Sequence, residues 1–164
     1  MRLEGRAIKL GDEIDTDIIL PARYLALPLE EYSKHLMEPV RPDFHKEIQT
    51  GDIIFGGHGF GIGSSRGQAI AAIKYVGIKA VVAVSYGRIF FRSGINEGLP
   101  FIACEEAYIH TDEGDIVQID LESSTVINKS KKLKFTFPPF PEMLVDILTV
   151  GGGVNYYKQQ HMHR

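Results

Sequence analysis

Cysteine occurs once, at Cys104, and tryptophan not at all in the 164 residues. A single thiol excludes an internal disulfide, and it excludes an iron-sulfur cluster held by this chain alone, because such clusters take several thiolates. Long apolar runs are also missing. Nothing approaches the roughly 20 residues that span a bilayer, and the opening "MRLEGRAIKLGDEIDTD" carries no apolar segment of secretory type. A cytoplasmic protein without a membrane segment is the expectation. Charge of one sign is lacking too: 18 basic and 21 acidic side chains are interspersed and give a net charge of −3. That balance leaves no electrostatic footprint for nucleic acid or an anionic membrane. What remains is a small-molecule or protein partner. With 44% hydrophobic residues and no internal repeat, the chain has the length to close one core, so residues 1–164 read as one domain.

The segments alternate in character. "GRAIKL" and "DIIL" read as short strands around an acidic turn, and "LEEYSKHLM" places Leu29, Tyr32 and Leu36 on one helical face between Pro28 and Pro39. "DIIFGG" (52–57) is a strand running into a glycine loop. "SRGQAIAAIKYVG" follows as a helix with a stripe of Ala69, Ile70, Ile73 and Val76, capped by Ser64 or Ser65 and closed at Gly77. "AVVAV" (80–84) reads as a strand covered on both faces, Ser85 as the cap of a second helix ending near Gly98, and "PFIAC" as the next strand. From Asp115 the period changes to two: Val117, Ile119 and Leu121 alternate, as do Leu133, Phe135 and Phe137, which predicts antiparallel strands with one wet face. A last helix, "PEMLVDIL", stops at the glycines 151–153, and "QQHMHR" reads as a frayed tail. The expected fold is mixed α/β, with a partly antiparallel sheet system flanked by helices.

The loop "GFGIGSSRGQAIAA" (59–72) bears the chemistry. A phosphate-binding Walker loop needs a lysine after its last glycine, and Gly63 is followed directly by Ser64 and Ser65. The dinucleotide pattern G-x-G-x-x-G fails from Gly57 and from Gly59. "GSSRG" does match the hydrolase elbow G-x-S-x-G, with Ser65 as nucleophile and partners drawn from Asp112 to Asp146 and from His161 or His163. The run of glycines between the strand and the serines argues against a tight elbow. A third reading takes the loop as delivering two hydroxyls and a guanidinium to a helix N-terminus, where free N–H groups favour an anion. Arg66 is suited to bidentate carboxylate binding, and a serine in that field can act as a base on a carbon acid. Against it stands the plain alternative that the serines cap the helix and Arg66 is solvated.

"GDEIDTDIILPARYLALP" (11–28) concentrates Asp12, Glu13, Asp15 and Asp17, without the spacing of a calcium loop, so no metal is assigned to it. Such aspartates can orient an arginine or hold backbone N–H groups.

Together "GDEIDTDIILPARYL", "FGIGSSR" and "SYGRIFFRSGINEGLP", with a closing "GGGVNYY", resemble the small-subunit family of 3-isopropylmalate dehydratase, equivalent to the swivelling domain of aconitase. The resemblance runs nearly end to end. It implies a swivelling β/β/α domain and a hydro-lyase that isomerises a hydroxy di- or tricarboxylic acid by removing and re-adding water. It also implies a large partner subunit that holds a [4Fe-4S] cluster, while this chain binds no cofactor. Carried onto this sequence, Ser64 is the catalytic base, and Ser65, Arg66 and Arg23 bind substrate. Asp12, Asp15 and Asp17 support them. The residues Tyr24, Leu25, Ala26 and Leu27 form the loop that contacts the variable group of the substrate. The apolar Leu25, Ala26 and Leu27 suit a branched hydrocarbon better than a third carboxylate, favouring isopropylmalate over homoaconitate, with a dimethylmalate-type hydro-lyase as a further alternative. The family reads "NFGCGSSREHA" where this chain reads "GFGIGSSRGQA", so Gly59, Ile62, Gly67 and Gln68 depart from it, and Ser93 stands where an asparagine is usual.

Overall fold

The structure, a computed structural model, describes residues 1–162. Its spine is β1 (Arg2–Lys9), which takes different partners along its length. Arg2 to Arg6 pair antiparallel with β5 (Ile116–Asp120), and Ala7 to Lys9 pair parallel with β2 (Ile53–Gly56). On the parallel side β3 (Ala80–Ala83) and β4 (Phe101–Ala103) follow; on the other side come β6 (Thr125–Asn128) and β7 (Leu133–Thr136). The sheet order is β4-β3-β2-β1-β5-β6-β7. The two halves differ as the sequence predicts. Every residue of β2 and β3 is buried, as in strands covered on both faces. In β5, Val117 and Ile119 are buried while their neighbours face outward, the alternation of a half-wet antiparallel strand.

Helix α1 (Thr16–Ile19) corrects the reading of "DIIL" as a strand. The three β-branched and apolar residues allow a strand by propensity, but the Asp15 carboxylate accepts the Ile18 N–H at 2.8 Å and starts a helical turn there. After a 3-10 turn (Ala22–Tyr24), "LEEYSKHLM" forms only α2 (Leu29–Tyr32) and a further 3-10 turn (Ser33–His35). Tyr32 and Leu36 are buried there, whereas Leu29 is exposed. A short α3 (Phe44–Glu47) precedes β2. Helix α4 (Gly67–Tyr75) buries Ala69, Ile70, Ala72 and Ile73 and ends before Gly77, whose φ of +91° is the left-handed stop. Then come α5 (Arg88–Asn96), α6 (Glu105–Ile109) and α7 (Glu142–Thr149).

The tail is not frayed as far as it is described: α8 (Gly153–His161) folds back beside α7 and α5. Its glycines are a packing requirement as well as a stop. A Cβ on Gly152 would lie 2.8 Å from the Asn96 carbonyl oxygen, and one on Gly153 would lie 2.2 Å from the Asn96 side chain. No helix among the described residues is long and apolar enough to cross a membrane.

Candidate active site

The carboxyl ends of β1, β2 and β3 lie side by side, and the three segments leaving them interlock. Residues 57–63 run between the acidic segment and the turn after β3. On the acidic side, Gly57 N–H donates to the Gly11 carbonyl (3.0 Å), Glu13 N–H to His58 (2.7 Å), Gly61 N–H to Ile14 (2.8 Å) and Thr16 N–H to Ile62 (3.0 Å). On the other side, Phe60 N–H donates to the Ser85 carbonyl (3.0 Å) and Gly87 N–H to Phe60 (2.9 Å). The glycines permit this approach. Gly59, Gly61 and Gly63 have φ of +72°, +76° and +110°, and a Cβ on Gly61 would sit 2.2 Å from the Phe90 ring.

Ser85 therefore has a different task from the one its sequence position predicts. The N-cap of α5 is Gly87, with no side-chain hydrogen bond, while the Ser85 hydroxyl accepts the Gly59 N–H at 2.9 Å. The aromatic side chain next to it fixes the same turn. The Tyr86 hydroxyl lies 2.8 Å from the carbonyls of Val81 and Ile102, and its ring stacks on Phe101 at 5.3 Å. Burial of the hydroxyl end pushes it well above its ordinary pKa, so it stays a neutral donor.

The three aspartates do three jobs. The Asp12 carboxylate accepts the His58 N–H at 2.8 Å and packs so closely on Gly57 that a Cβ there would be 2.0 Å away. Asp15 caps α1. Asp17 forms an ion pair with Arg66 at 2.5 Å. Arg66 also donates to the carbonyls of Leu20 (3.0 Å) and Thr16 (3.3 Å), so its guanidinium closes the C-terminus of α1. Its side chain is only 14% exposed, against 70% for Asp17, so the solvated Arg66 of the plain alternative is not what the structure has.

Ser64 and Ser65 are both exposed on the approach to α4. They do not cap it: the N-cap residue is Arg66, and no side chain closes that helix end. The N-terminus of α4 is therefore uncapped by any side chain, and the two exposed serines precede it in the chain. Beside it is an open depression lined by Glu13, Asp15, Ile18 and Ile62. The elbow reading finds no support here, because residues 57–66 intervene between β2 and α4. His161 is engaged by its own helix, stacked on Tyr157 with Nδ1 2.9 Å from the Tyr157 carbonyl. His163 lies outside the described residues.

Arg23 and Tyr24 stand on the 3-10 turn just beyond α1, linked to Glu38 rather than to Arg66. Tyr24 and Leu25 pack against the core, and Ala26 and Leu27 are exposed. The sequence reading gave no site role to Ser85 and Tyr86, which open the motif "SYGRIFFRSGINEGLP", or to Glu38, which lies outside the motifs; all three reach the site by folding. No group of three or more His, Cys, Asp or Glu among the described residues can hold a metal ion. Cys104 is buried and its thiol is pushed up by that burial, so the residues present do not fit an iron-sulfur cluster.

The departures from the family pattern have simple steric readings. Gly59 is in the left-handed region at φ +72°, and a Cβ there would lie 2.3 Å from the Ile62 side chain, so the glycine and the isoleucine that depart from the pattern are in contact with each other. Gly67 opens α4 with nothing within 4 Å of an added Cβ, so a side chain there costs no packing.

Comparison with known proteins places the chain. A profile of the aconitase C-terminal domain matches residues 33–106. The 3-isopropylmalate dehydratase small subunit of Hydrogenobaculum sp. is 48% identical over 98% of both chains. The methanogen homoaconitase small subunit of Methanothermobacter thermautotrophicus is 44% identical over 94% of this chain and 90% of its own. A crystal structure of 3-isopropylmalate dehydratase from Methanocaldococcus jannaschii superposes with a TM-score of 0.91 at 41% identity, covering 99% of this chain and 96% of that one. With its sheet order, its serine-serine-arginine loop and these near end-to-end matches, the chain belongs to the family of 3-isopropylmalate dehydratase small subunits.

Proposed function

We propose that this chain is the small subunit of a hydro-lyase that interconverts 2-isopropylmalate and 3-isopropylmalate, in leucine biosynthesis, and that it works only with a large subunit. The observation that carries the reading is the uncapped start of α4, led into by exposed Ser64 and Ser65 and by an anchored Arg66. A substrate carboxylate is held there by the free N–H groups of the helix, the Ser65 hydroxyl and the guanidinium. Ser64 takes the proton from the adjacent carbon, and its alkoxide is stabilised by the helix N-terminus and by the nearby cation. The electron pair of that C–H bond forms a double bond as the hydroxyl leaves the neighbouring carbon, so that water is lost; returning the proton to the carbon that lost the hydroxyl, and hydroxide from water to the carbon that lost the proton, completes the isomerisation. Arg23 binds a second carboxylate.

The site is half a site. Ser64 and Ser65 face solvent, and exposed Ile62 and Ile89 flank the loop, so the large subunit covers them and encloses the substrate. The [4Fe-4S] cluster that the family resemblance implies belongs to that subunit, since this chain has one buried thiol. The homoaconitase relative supports a second reading of substrate. Exposed Ala26 and Leu27 favour the branched hydrocarbon, because a third carboxylate would lie against apolar groups without a partner.

The test is reconstitution with a cluster-bearing large subunit and assay on isopropylmalate, homoaconitate and dimethylmalate. Ser64→Ala is expected to lower kcat by about 10²–10⁴ while the complex still assembles. Near-normal turnover would reject Ser64 as the base. Preference for homoaconitate would overturn the substrate assignment alone.

A further inference from the structure

One polar cluster next to the site is not explained by the loop chemistry. Glu38 accepts from the Tyr24 hydroxyl at 2.6 Å and from Arg23 at 3.2 Å, and its other oxygen meets His35 Nδ1. The Tyr24 ring is sandwiched: His35 stacks on it at 3.6 Å and 5° between planes, and the Arg23 guanidinium lies 4.6 Å from its centroid. Three side chains from two separate segments thus meet on one carboxylate. Surface pairs between long side chains contribute little when isolated, but a stacked aromatic within a shared network is held in one geometry.

The backbone between His35 and Glu38 is itself strained. Met37 is a non-glycine residue at φ +57°, fully buried, and its N–H donates to the Ile19 carbonyl at 3.0 Å. That turn brings His35 and Glu38 round to face Tyr24, and it does so at the end of α1, whose Leu20 carbonyl holds Arg66. A left-handed non-glycine residue persists only where its surroundings over-determine it, and such residues gather where geometry matters to function. The segment 22–25 is therefore tied at one end to the helix that anchors Arg66 and at its side to Glu38. The exposed residues Ala26 and Leu27 extend from this clamp.

We propose that Glu38 is a positioning residue for substrate selection: with His35 as its brace, it fixes Arg23 and the 24–27 loop relative to Arg66. This rests on the reading of Arg23 and that loop as substrate contacts. Glu38 touches no substrate. It holds the arginine in direction and keeps Tyr24 from rotating, so that the distance between the two arginines, and the apolar wall beyond, match one acid better than another.

The experiment uses Glu38→Gln, which keeps the shape but removes the charge, His35→Phe, which keeps the stacked ring but removes the nitrogen, and Glu38→Asp as the conservative variant. In the reconstituted enzyme, Glu38→Gln is expected to raise KM for the preferred acid about tenfold with a kcat change of less than about threefold. The ratio of kcat/KM between isopropylmalate and homoaconitate should shrink by a similar factor, and Glu38→Asp should restore part of it. In the isolated chain, amide exchange in residues 22–27 should quicken about tenfold in Glu38→Gln, while β2 and β3 amides keep their rates. An unchanged selectivity ratio in an active complex would overturn the proposal. So would unchanged exchange at residues 22–27, or equal acceleration throughout the sheet, which is the mark of general destabilisation. If the wild-type complex turns over none of the acids, the proposed function fails, and the exchange measurement still decides whether Glu38 holds the loop.

Discussion

Replacing Gly61 by alanine is the sharpest probe of the loop. The added Cβ would meet the Phe90 ring at 2.2 Å and 2.3 Å and the Phe90 Cβ at 2.8 Å, and the backbone there has φ +76°. Phe90 is 2% exposed and stacks on Phe101 at 5.3 Å, so it has little room to retreat. The left-handed conformation costs an alanine roughly 1–2 kcal/mol, and forcing a close-packed ring aside adds about 1–3 kcal/mol. The sum is about 2–5 kcal/mol, which at roughly 2–4 °C per kcal/mol lowers Tm by about 4–20 °C. Gly67→Ala is the matched control: nothing lies within 4 Å of its Cβ and its φ is not left-handed. That change should stabilise by about 0.4–1 kcal/mol, because it restricts the unfolded chain. Urea and thermal unfolding of both variants measure the contrast. A third protein, Gly61→Ala with Phe90→Ala, should lose less than the sum of the two single changes if ring and methyl collide, because the ring atoms at 2.2 Å and 2.3 Å are then gone. The reasoning is refuted if Gly61→Ala stays within about 0.5 kcal/mol of wild type, or if the two glycines respond alike.

Three further outcomes are expected. Ser85→Ala leaves the Gly59 N–H without its hydroxyl acceptor and should cost about 1 kcal/mol in urea unfolding, at the lower end because Ser85 itself meets water; no loss would mean that the loop does not depend on this contact. Arg66→Lys cannot serve the Thr16 and Leu20 carbonyls and Asp17 from one ammonium, so KM in the reconstituted enzyme should rise at least about tenfold, with a smaller fall in kcat. An unchanged KM would count against Arg66 as the carboxylate clamp. Acid should destabilise the fold. Hydrogen bonds from Tyr24 and His35 hold Glu38 below the usual range. For Asp115 and Asp120, burial pushes upward but is outweighed by donors that include Asn128 for the first and Ser123 and Arg2 for the second. Between the ordinary and the lowered values the unfolded chain binds more protons than the native one. Stability from these groups is thus complete above about pH 4–5 and drains away as pH falls through the lowered values. Denaturant midpoints measured from neutral pH downward test this, and a midpoint that does not fall would refute it.

The sequence by itself determined the elements whose apolar pattern has only one solution. β2 and β3 are too apolar to sit anywhere but inside a sheet, α4 has its stripe and its left-handed Gly77, and β5 alternates. It also placed Ser64, Ser65 and Arg66 on one loop, because three motifs in order carry that assignment together. Short segments were not legible in the same way. "DIIL" satisfies strand and helix patterns equally, and a single carboxylate from Asp15 selects the helix. α8 buries none of its residues fully, so nothing in its own sequence marks it; it forms because glycines 151–153 let it turn closely over the end of α5. Tertiary structure alone decided what surrounds the loop. Ser85 reaches Gly59 across 26 positions, Arg66 reaches Leu20 across 46, and Glu38 reaches Tyr24 across 14. Such contacts depend on which strands lie adjacent and where a strained turn such as Met37 points a side chain, and local periodicity carries no information about either.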